Sequence, residues 1–324
     1  MIARWKSAGK TILITEHRLY YLKNLADRII YMKNGKICNE YTPSELEGKG
    51  TAVLQQMGLR PMSMETLSLP PSPSPFSTCS YVLKNFIHAY PGTASTLNIP
   101  DLSVPNRSIV ALVGHNGAGK TTFARLLSGL SKKCKGLLCS DNHTMPAKTR
   151  LKHVYMVMQD VNHQLFTESV LDEVLLSMPN PDEIQAAHIL SSLDLWTSKD
   201  KHPMSLSGGE KQRLAIASAI ASDREIILFD EPTSGLDLKH MQQVAVLLRN
   251  LKSAEKTVFV ISHDPELILA CCDYVIQIAD GRVKRSYPLT EENKQQLLSF
   301  FFPSNHSELP SILPIHLVSK IVNS

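Results

Sequence analysis

Eight residues from Gly114 to Thr121 read GHNGAGKT, with three glycines and a lysine-threonine pair at fixed spacing. Glycines at 114, 117 and 119 let a backbone bend until successive N–H groups face one anion, and a helix starting there adds its positive end. Lys120 is placed to reach the β- and γ-phosphates of a polyphosphate, and the Thr121 hydroxyl to bind Mg²⁺. A second constellation, IILFDE, ends on Asp230 and Glu231. The first carboxylate suits Mg²⁺, held through water, and the second suits polarising an attacking water. A third, LSGGEKQR, sets Ser207, Gly208 and Gly209 at a helix start, a second anion site roughly ninety residues from the first.

Such groups need rigid strand ends to hold them. SIVALVG (108–114) is a continuous apolar strand closing on glycine, and KTTFARLLSGL (120–130) carries helical spacing through Phe123, Leu126, Leu127 and Leu130. EIILFDE (225–231) and TVFVISH (257–263) are two further buried strands. Apolar strands alternating with helices predict a parallel sheet covered on both faces, an α/β fold that binds ligands at the carboxyl ends of its strands. A more helical region, about 160–222, is predicted between the first two of these strands.

The totals are those of an ordinary globular chain. A length of 324 residues with 43% apolar and 20% charged residues allows about two domains with a sizeable core. The net charge of +4 contains no run of five or six basic residues, so no nucleic-acid partner is expected. Six cysteines without C-x-x-C pairing imply neither zinc nor a disulfide framework, which suits a reducing compartment. No stretch approaches a membrane span or a signal peptide, so any membrane role is expected to be peripheral.

Residues 61–79 begin PMSMETLSLPPSPSPFS, with five prolines and five serines, and read as a semi-extended linker between a head (1–60) and a body (80–290). The head and body share a repeat. Residues 11–37 align without a gap on 257–283, so that His17 falls on His263, Asp27 on Asp273 and Gly35 on Gly281. ILITEHRL (12–19) therefore reads as a buried strand that stops in a turn, followed by a helix and a final strand. It resembles the end of a domain whose complete copy follows. Residues 291–324 form a C-terminal extension; its LLSFFF and ILPIHLV stretches are expected to pack on the body.

Over residues 80–285 the motifs resemble, in kind and order, the nucleotide-binding domain of ATP-binding-cassette (ABC) proteins, a P-loop NTPase fold with a RecA-like parallel sheet and a helical signature subdomain. The order is P-loop Gly114–Thr121, Q-loop Gln159, signature Leu206–Gln212, Walker B Ile226–Glu231, D-loop Ser234–Asp237 and switch His263. The resemblance implies an ATPase that uses ATP and Mg²⁺. Tyr90 would stack on adenine, and Gly114, Asn116, Gly117, Gly119, Lys120, Thr121 and Thr122 would hold the phosphates. Thr121, Gln159 and Asp230 would serve the metal, with Glu231, His263 and Gln159 acting on the γ-phosphate and water. Two such domains close head to tail in this family, so Ser207, Gly208, Gly209 and the D-loop Asp237 would serve a partner's nucleotide. The partner would be a second copy or another ATPase chain.

The wording of GHNGAGKTTFARLLSGL, VMQDVNHQLFTESVLDEV and ITEHRL is most similar to the ATPase subunits of energy-coupling-factor importers for vitamins or transition-metal ions, in particular those with two ATPase domains in one chain. That implies integral membrane transporter subunits as partners and a peripheral place on the cytoplasmic face of the membrane. Asp160–Phe166 would line the groove for a coupling helix. Because the head lacks its own cradle, signature and carboxylate, the chain is expected to be such a tandem protein truncated at its N-terminus, with His17 idle. Two alternatives stay open: a soluble tandem ATPase acting on the ribosome, whose long charged arm is not matched by the short Pro/Ser-rich linker, and a fragment that binds ATP without hydrolysing it.

Overall fold

The computed structural model describes residues 2–64, 67–70, 80–89, 96–131, 136–140 and 143–302. The head contributes helices α1 (Ile2–Ser7), α2 (Pro43–Gly48) and α3 (Gly50–Gln56) and strands β1 (Ile29–Lys33) and β2 (Lys36–Tyr41). The body contains strands β3 (Ser80–Ala89), β4 (Thr96–Pro105), β5 (Ile109–Val113), β6 (Leu137–Ser140), β7 (His143–Met145), β8 (Val154–Val157), β9 (Ile226–Asp230), β10 (Thr257–Ile261), β11 (Tyr274–Ala279) and β12 (Arg282–Pro288). Its helices are α4 (Lys120–Leu127), α5 (Ala147–His153), α6 (Val170–Ser177), α7 (Glu183–Ser192), α8 (Gly208–Ala221), α9 (Leu238–Ser253), α10 (Pro265–Cys271) and α11 (Glu291–Phe301).

The central sheet runs β12-β11-β5-β10-β9-β8, parallel except for the antiparallel edge strand β12, and an antiparallel sheet β4-β3-β6-β7 lies against it. The apolar runs read in the sequence are strands buried along their whole length, because side chains pointing to either face meet a covering layer. On β9 the alternation is explicit: Ile227 and Phe229 join the core with the helices α8, α9 and α10, whereas Ile226 and Leu228 join the core shared with α4 and the antiparallel sheet. The register pairs Asp230 with Ile261, which carries the acidic end of β9 level with the end of β10. Helices α6, α7 and α8 form the helical region expected between β8 and β9.

The head departs from expectation. Residues 11–16 form no strand, and Leu13 is 90% exposed, although its repeat partner Phe259 is fully buried. Phe259 is flanked by parallel pairing to both β5 and β9, whereas no strand flanks Leu13 among the described residues. A lone extended segment leaves its backbone groups to water, so pattern alone cannot hold it as a strand. The helix expected after His17 is likewise reduced to turns, closed by Leu22→Leu19 and Leu25→Leu22 backbone bonds. The final strand does form. β1 and β2 make an antiparallel hairpin whose bulge at Tyr31/Met32 and turn at Asn34-Gly35 (φ 53° and 71°) repeat the bulge at Gln277/Ile278 and turn at Asp280-Gly281 (φ 49° and 70°) between β11 and β12. Both turns carry the paired positive φ angles that suit a two-residue hairpin connection.

The segment after the head is not a free tether at its start. Met62 is buried among Leu19, Leu46 and Leu54 of the head, and Met64 in the main core of the body. Leu69 donates its N–H to Glu291 on α11 at 3.0 Å. Helix α11 packs as expected through buried Leu297 and Leu298, while ILPIHLV lies outside the described residues. No helix among the described residues is long and apolar enough to cross a membrane.

Candidate functional site

The phosphate loop turns between β5 and α4. A Cβ on Gly114 would stand 2.3 Å from the Ile278 carbonyl oxygen, so β11 presses on the loop so closely that only glycine fits. Gly119 precedes α4 with φ 106°, a left-handed conformation that aims the first N–H groups of the helix into the loop. Lys120 folds back over that loop: its Nζ donates to the carbonyls of Gly114 (2.7 Å) and His115 (3.1 Å). Burial lowers its pKa, and the nearby carboxylates of Glu231 and Asp230 work against that shift. Asn116, Gly117 and the first-turn Thr122 complete the loop and helix start that the sequence predicts.

Strand ends bring the chemistry to this loop. Thr121 Oγ1 donates to Asp230 Oδ2 at 3.0 Å across 109 residues of sequence. Burial raises the Asp230 pKa, opposed by that hydrogen bond and by Lys120. Glu231 sits at φ 56°, its N–H bonded to the Ile261 carbonyl at 2.9 Å. This strained turn points the carboxyl group toward the end of β10. Its Oε2 accepts the His263 N–H at 3.4 Å, and its Oε1 lies 3.7 Å from His263 Nε2. Burial pushes Glu231 up to about 7 and His263 down to about 4, with Lys120 adding to the second shift. Both shifts favour neutral forms, so near neutral pH the contact is not a pair of full charges.

Glu231 Oε1 and His263 Nδ1 are buried without a hydrogen-bond partner among the described residues. Buried polar atoms in that condition call for a guest. Thr121 and Asp230 offer hard oxygen donors of the kind Mg²⁺ takes, and Mg²⁺ is commonly held by one or two carboxylates with phosphate oxygens supplying the rest. The residues present therefore fit a Mg-polyphosphate.

Other expected groups make no hydrogen bond to the phosphate loop among the described residues. Gln159 is exposed beyond the end of β8, which neighbours β9. Ser207 caps α8 in a capping box, donating its hydroxyl to Glu210 at 2.7 Å, and no hydrogen bond joins 207–209 to the phosphate loop among the described residues. Asp237 caps α9 through the His240 N–H at 2.9 Å. Tyr90 lies outside the described residues. The positioning contacts of two residues escaped sequence reasoning. Gln164 staples the Gln159 loop by bonds to the Met156 carbonyl and the Met158 N–H, both 2.7 Å. Arg60 reaches the turn after His263 through a contact with Asp264. A lone glutamine or arginine carries no pattern that sequence could flag.

A glycine loop between the first parallel strand and its helix, facing a threonine-aspartate pair and a glutamate-histidine pair on adjacent strands, defines a P-loop NTPase of the ABC type. The chain is similar to the family of ABC transporter ATP-binding proteins, an ATPase family. The ABC transporter family model matches residues 97–234, and a model described as an AAA domain matches 202–270. A "Putative ABC transporter ATP-binding protein" of Treponema denticola is 39% identical over 92% of this chain and 61% of its own length. One of the same description from Methanosarcina acetivorans is 32% identical over 87% and 55%. The chain thus spans a little over half the length of these curated relatives. A dimeric ATP-binding cassette solved in a post-hydrolysis state with ADP and Pi superposes with a TM-score of 0.56 at 26% identity, over 65% of this chain and 99% of that one. The cbiO1 protein of Clostridium perfringens, part of the ABC transporter complex cbiONQ, shares the fold with a TM-score of 0.57 at 24% identity, over 68% and 90%.

Proposed function

We propose that this chain binds Mg-ATP at Gly114–Thr121 and hydrolyses it when a second nucleotide-binding domain closes over the site, and that this cycle drives import of a small substrate through a membrane transporter. The observation that carries the reading is the convergence of Thr121, Asp230, Glu231 and His263 on one phosphate loop, with two buried polar atoms left for a ligand. Lys120 and the loop N–H groups bind and orient the phosphates, and Thr121 and Asp230 hold Mg²⁺. The metal neutralises phosphate charge. Glu231, partly ionised near neutral pH, draws a proton from the attacking water, and His263 steadies that carboxylate and the γ-phosphate. Ser207–Gly209 serve the nucleotide of the partner, so binding energy goes into closure.

The importer reading, with vitamins or transition-metal ions as cargo, rests on the wording of the phosphate-loop, Q-loop and ITEHRL segments. The tandem reading is supported by the head hairpin, which repeats the β11–β12 hairpin down to its bulge and turn. Residues buried in the body hairpin, Ile276 and Ile278, have exposed repeat partners, Ile30 (44%) and Met32 (58%). Those partners suit the sheet of a first such domain. Integral membrane subunits and a peripheral position on the cytoplasmic face of the membrane complete the proposal.

Turnover per chain is expected to rise with chain concentration, as a composite site requires. Phosphate release measured over a hundredfold dilution series checks this; a rate per chain that stays flat rejects the composite site, and no release at any concentration rejects hydrolysis by this chain alone.

A further inference from the structure

Arg60, just before the Pro/Ser-rich segment, is a buried cation that the chemistry above does not use; it is 2% exposed. Its Nη1 lies 2.5 Å from Asp264 Oδ2 and 3.7 Å from Glu266 Oε1, and its Nη2 donates to the Leu236 carbonyl at 3.0 Å. Asp264 directly follows His263 and caps α10, its Oδ1 accepting the Glu266 N–H at 3.1 Å. The same carboxylate takes the Thr233 hydroxyl at 3.3 Å on Oδ2. Leu236 lies between Gly235 (φ 74°) and Asp237, the cap of α9. One planar guanidinium from the head therefore spans the loop after β9 and the turn after β10, the two connections that leave Glu231 and His263.

The charges bind this arrangement together. Burial opposes the charge on Arg60, yet Asp264 and then Glu266 outweigh it and raise its pKa. Burial raises Glu266 to about 8, Asp264 adds to the rise, and Arg60 and Arg18 oppose it. Removing one member of such a buried group leaves the others uncompensated, which costs far more than an exposed pair would. Lysine cannot replace the fork, because a point charge does not bond a carboxylate and a carbonyl on separate loops in the same plane.

We propose that Arg60 is a positioning residue that locks Ser234–Asp237 to the His263–Glu266 turn, so that docking of the head fixes the geometry of the Glu231–His263 pair in the body. The inference rests on the reading of that pair as hydrolytic, but its main test does not. Hydrogen exchange of the full chain is compared for wild type, Arg60→Ala and Arg60→Lys, alongside affinity for a fluorescent ATP analogue and phosphate release. In Arg60→Ala, exchange at 234–237 and 263–267 rises at least about tenfold while β5, β9 and β10 keep their protection. Arg60→Lys falls between the two. Nucleotide affinity stays within about threefold while kcat falls at least about tenfold. Unchanged protection at 234–237 and 263–267, with faster exchange confined to residues 2–58, overturns the proposal and leaves Arg60 as a mere anchor of the head. If Arg60→Ala does not fold, Arg60→Lys carries the same comparison. A wild-type chain without turnover rejects the hydrolytic reading and leaves the exchange result standing.

Discussion

Glu231→Gln is expected to lower ATP turnover about a thousandfold while leaving nucleotide binding intact, because the amide keeps the shape of the carboxyl group and cannot take a proton. Closed pairs of the variant should accumulate with ATP. Light scattering with and without nucleotide reads this directly, and a monomer in both conditions counts against closure driven by ATP. The substitution should also stabilise the nucleotide-free chain, and the sign depends on pH. Folding holds Glu231 at about 7, above the ordinary 4.5, so the folded state binds the extra proton between those values. Stability from this group is therefore fullest below pH 4.5 and falls as pH rises through 7, by up to about 3 kcal/mol. Glutamine removes that penalty. The variant should be the more stable chain at pH 8, and the difference should shrink toward pH 5. Wild type equal to or more stable than the variant at pH 8 would show that the carboxylate is not strained by burial. His263 works in the opposite direction. Its pKa of about 4 is below the ordinary 6.5, so its contribution is lost as pH falls from 6.5 through 4, in wild type and variant alike.

The second large effect is expected in packing. Phe123 is fully buried on α4, with ring centroids 6.3 Å from Phe86 on β3 and 6.2 Å from Phe259 on β10. It ties the phosphate-loop helix to both sheets at once. Phe123→Ala should cost about 3–5 kcal/mol, the transfer term of a phenyl ring together with the cavity it leaves. Urea unfolding should show a lower midpoint with an unchanged slope. Because α4 carries Lys120 and Thr121 in its first turn, weaker binding of an ATP analogue should accompany the loss. A cost below about 1 kcal/mol would mean that the neighbouring aromatic rings close over the gap.

Local pattern determined much of this protein. Apolar runs at 109–113, 226–229 and 258–261 became buried parallel strands, because a strand covered on both faces needs no alternation. The glycines at 114 and 119 and the carboxylates at 230 and 231 were legible too, since phosphate and metal chemistry demands those residue types at those places. The same kind of pattern misled at 12–19. ILITEHRL has the composition of a strand, but strand formation is decided by the neighbours that take its hydrogen bonds, and none flanks it among the described residues. Only the tertiary structure decided that Glu231 and His263 would share a contact with shifted pKa values, since burial is a property of what surrounds a group and not of its position in the chain. Arg60 shows the limit most sharply. Its partners Asp264 and Leu236 lie 204 and 176 residues away, and a single arginine has no periodicity to announce a contact that exists only once the chain has folded.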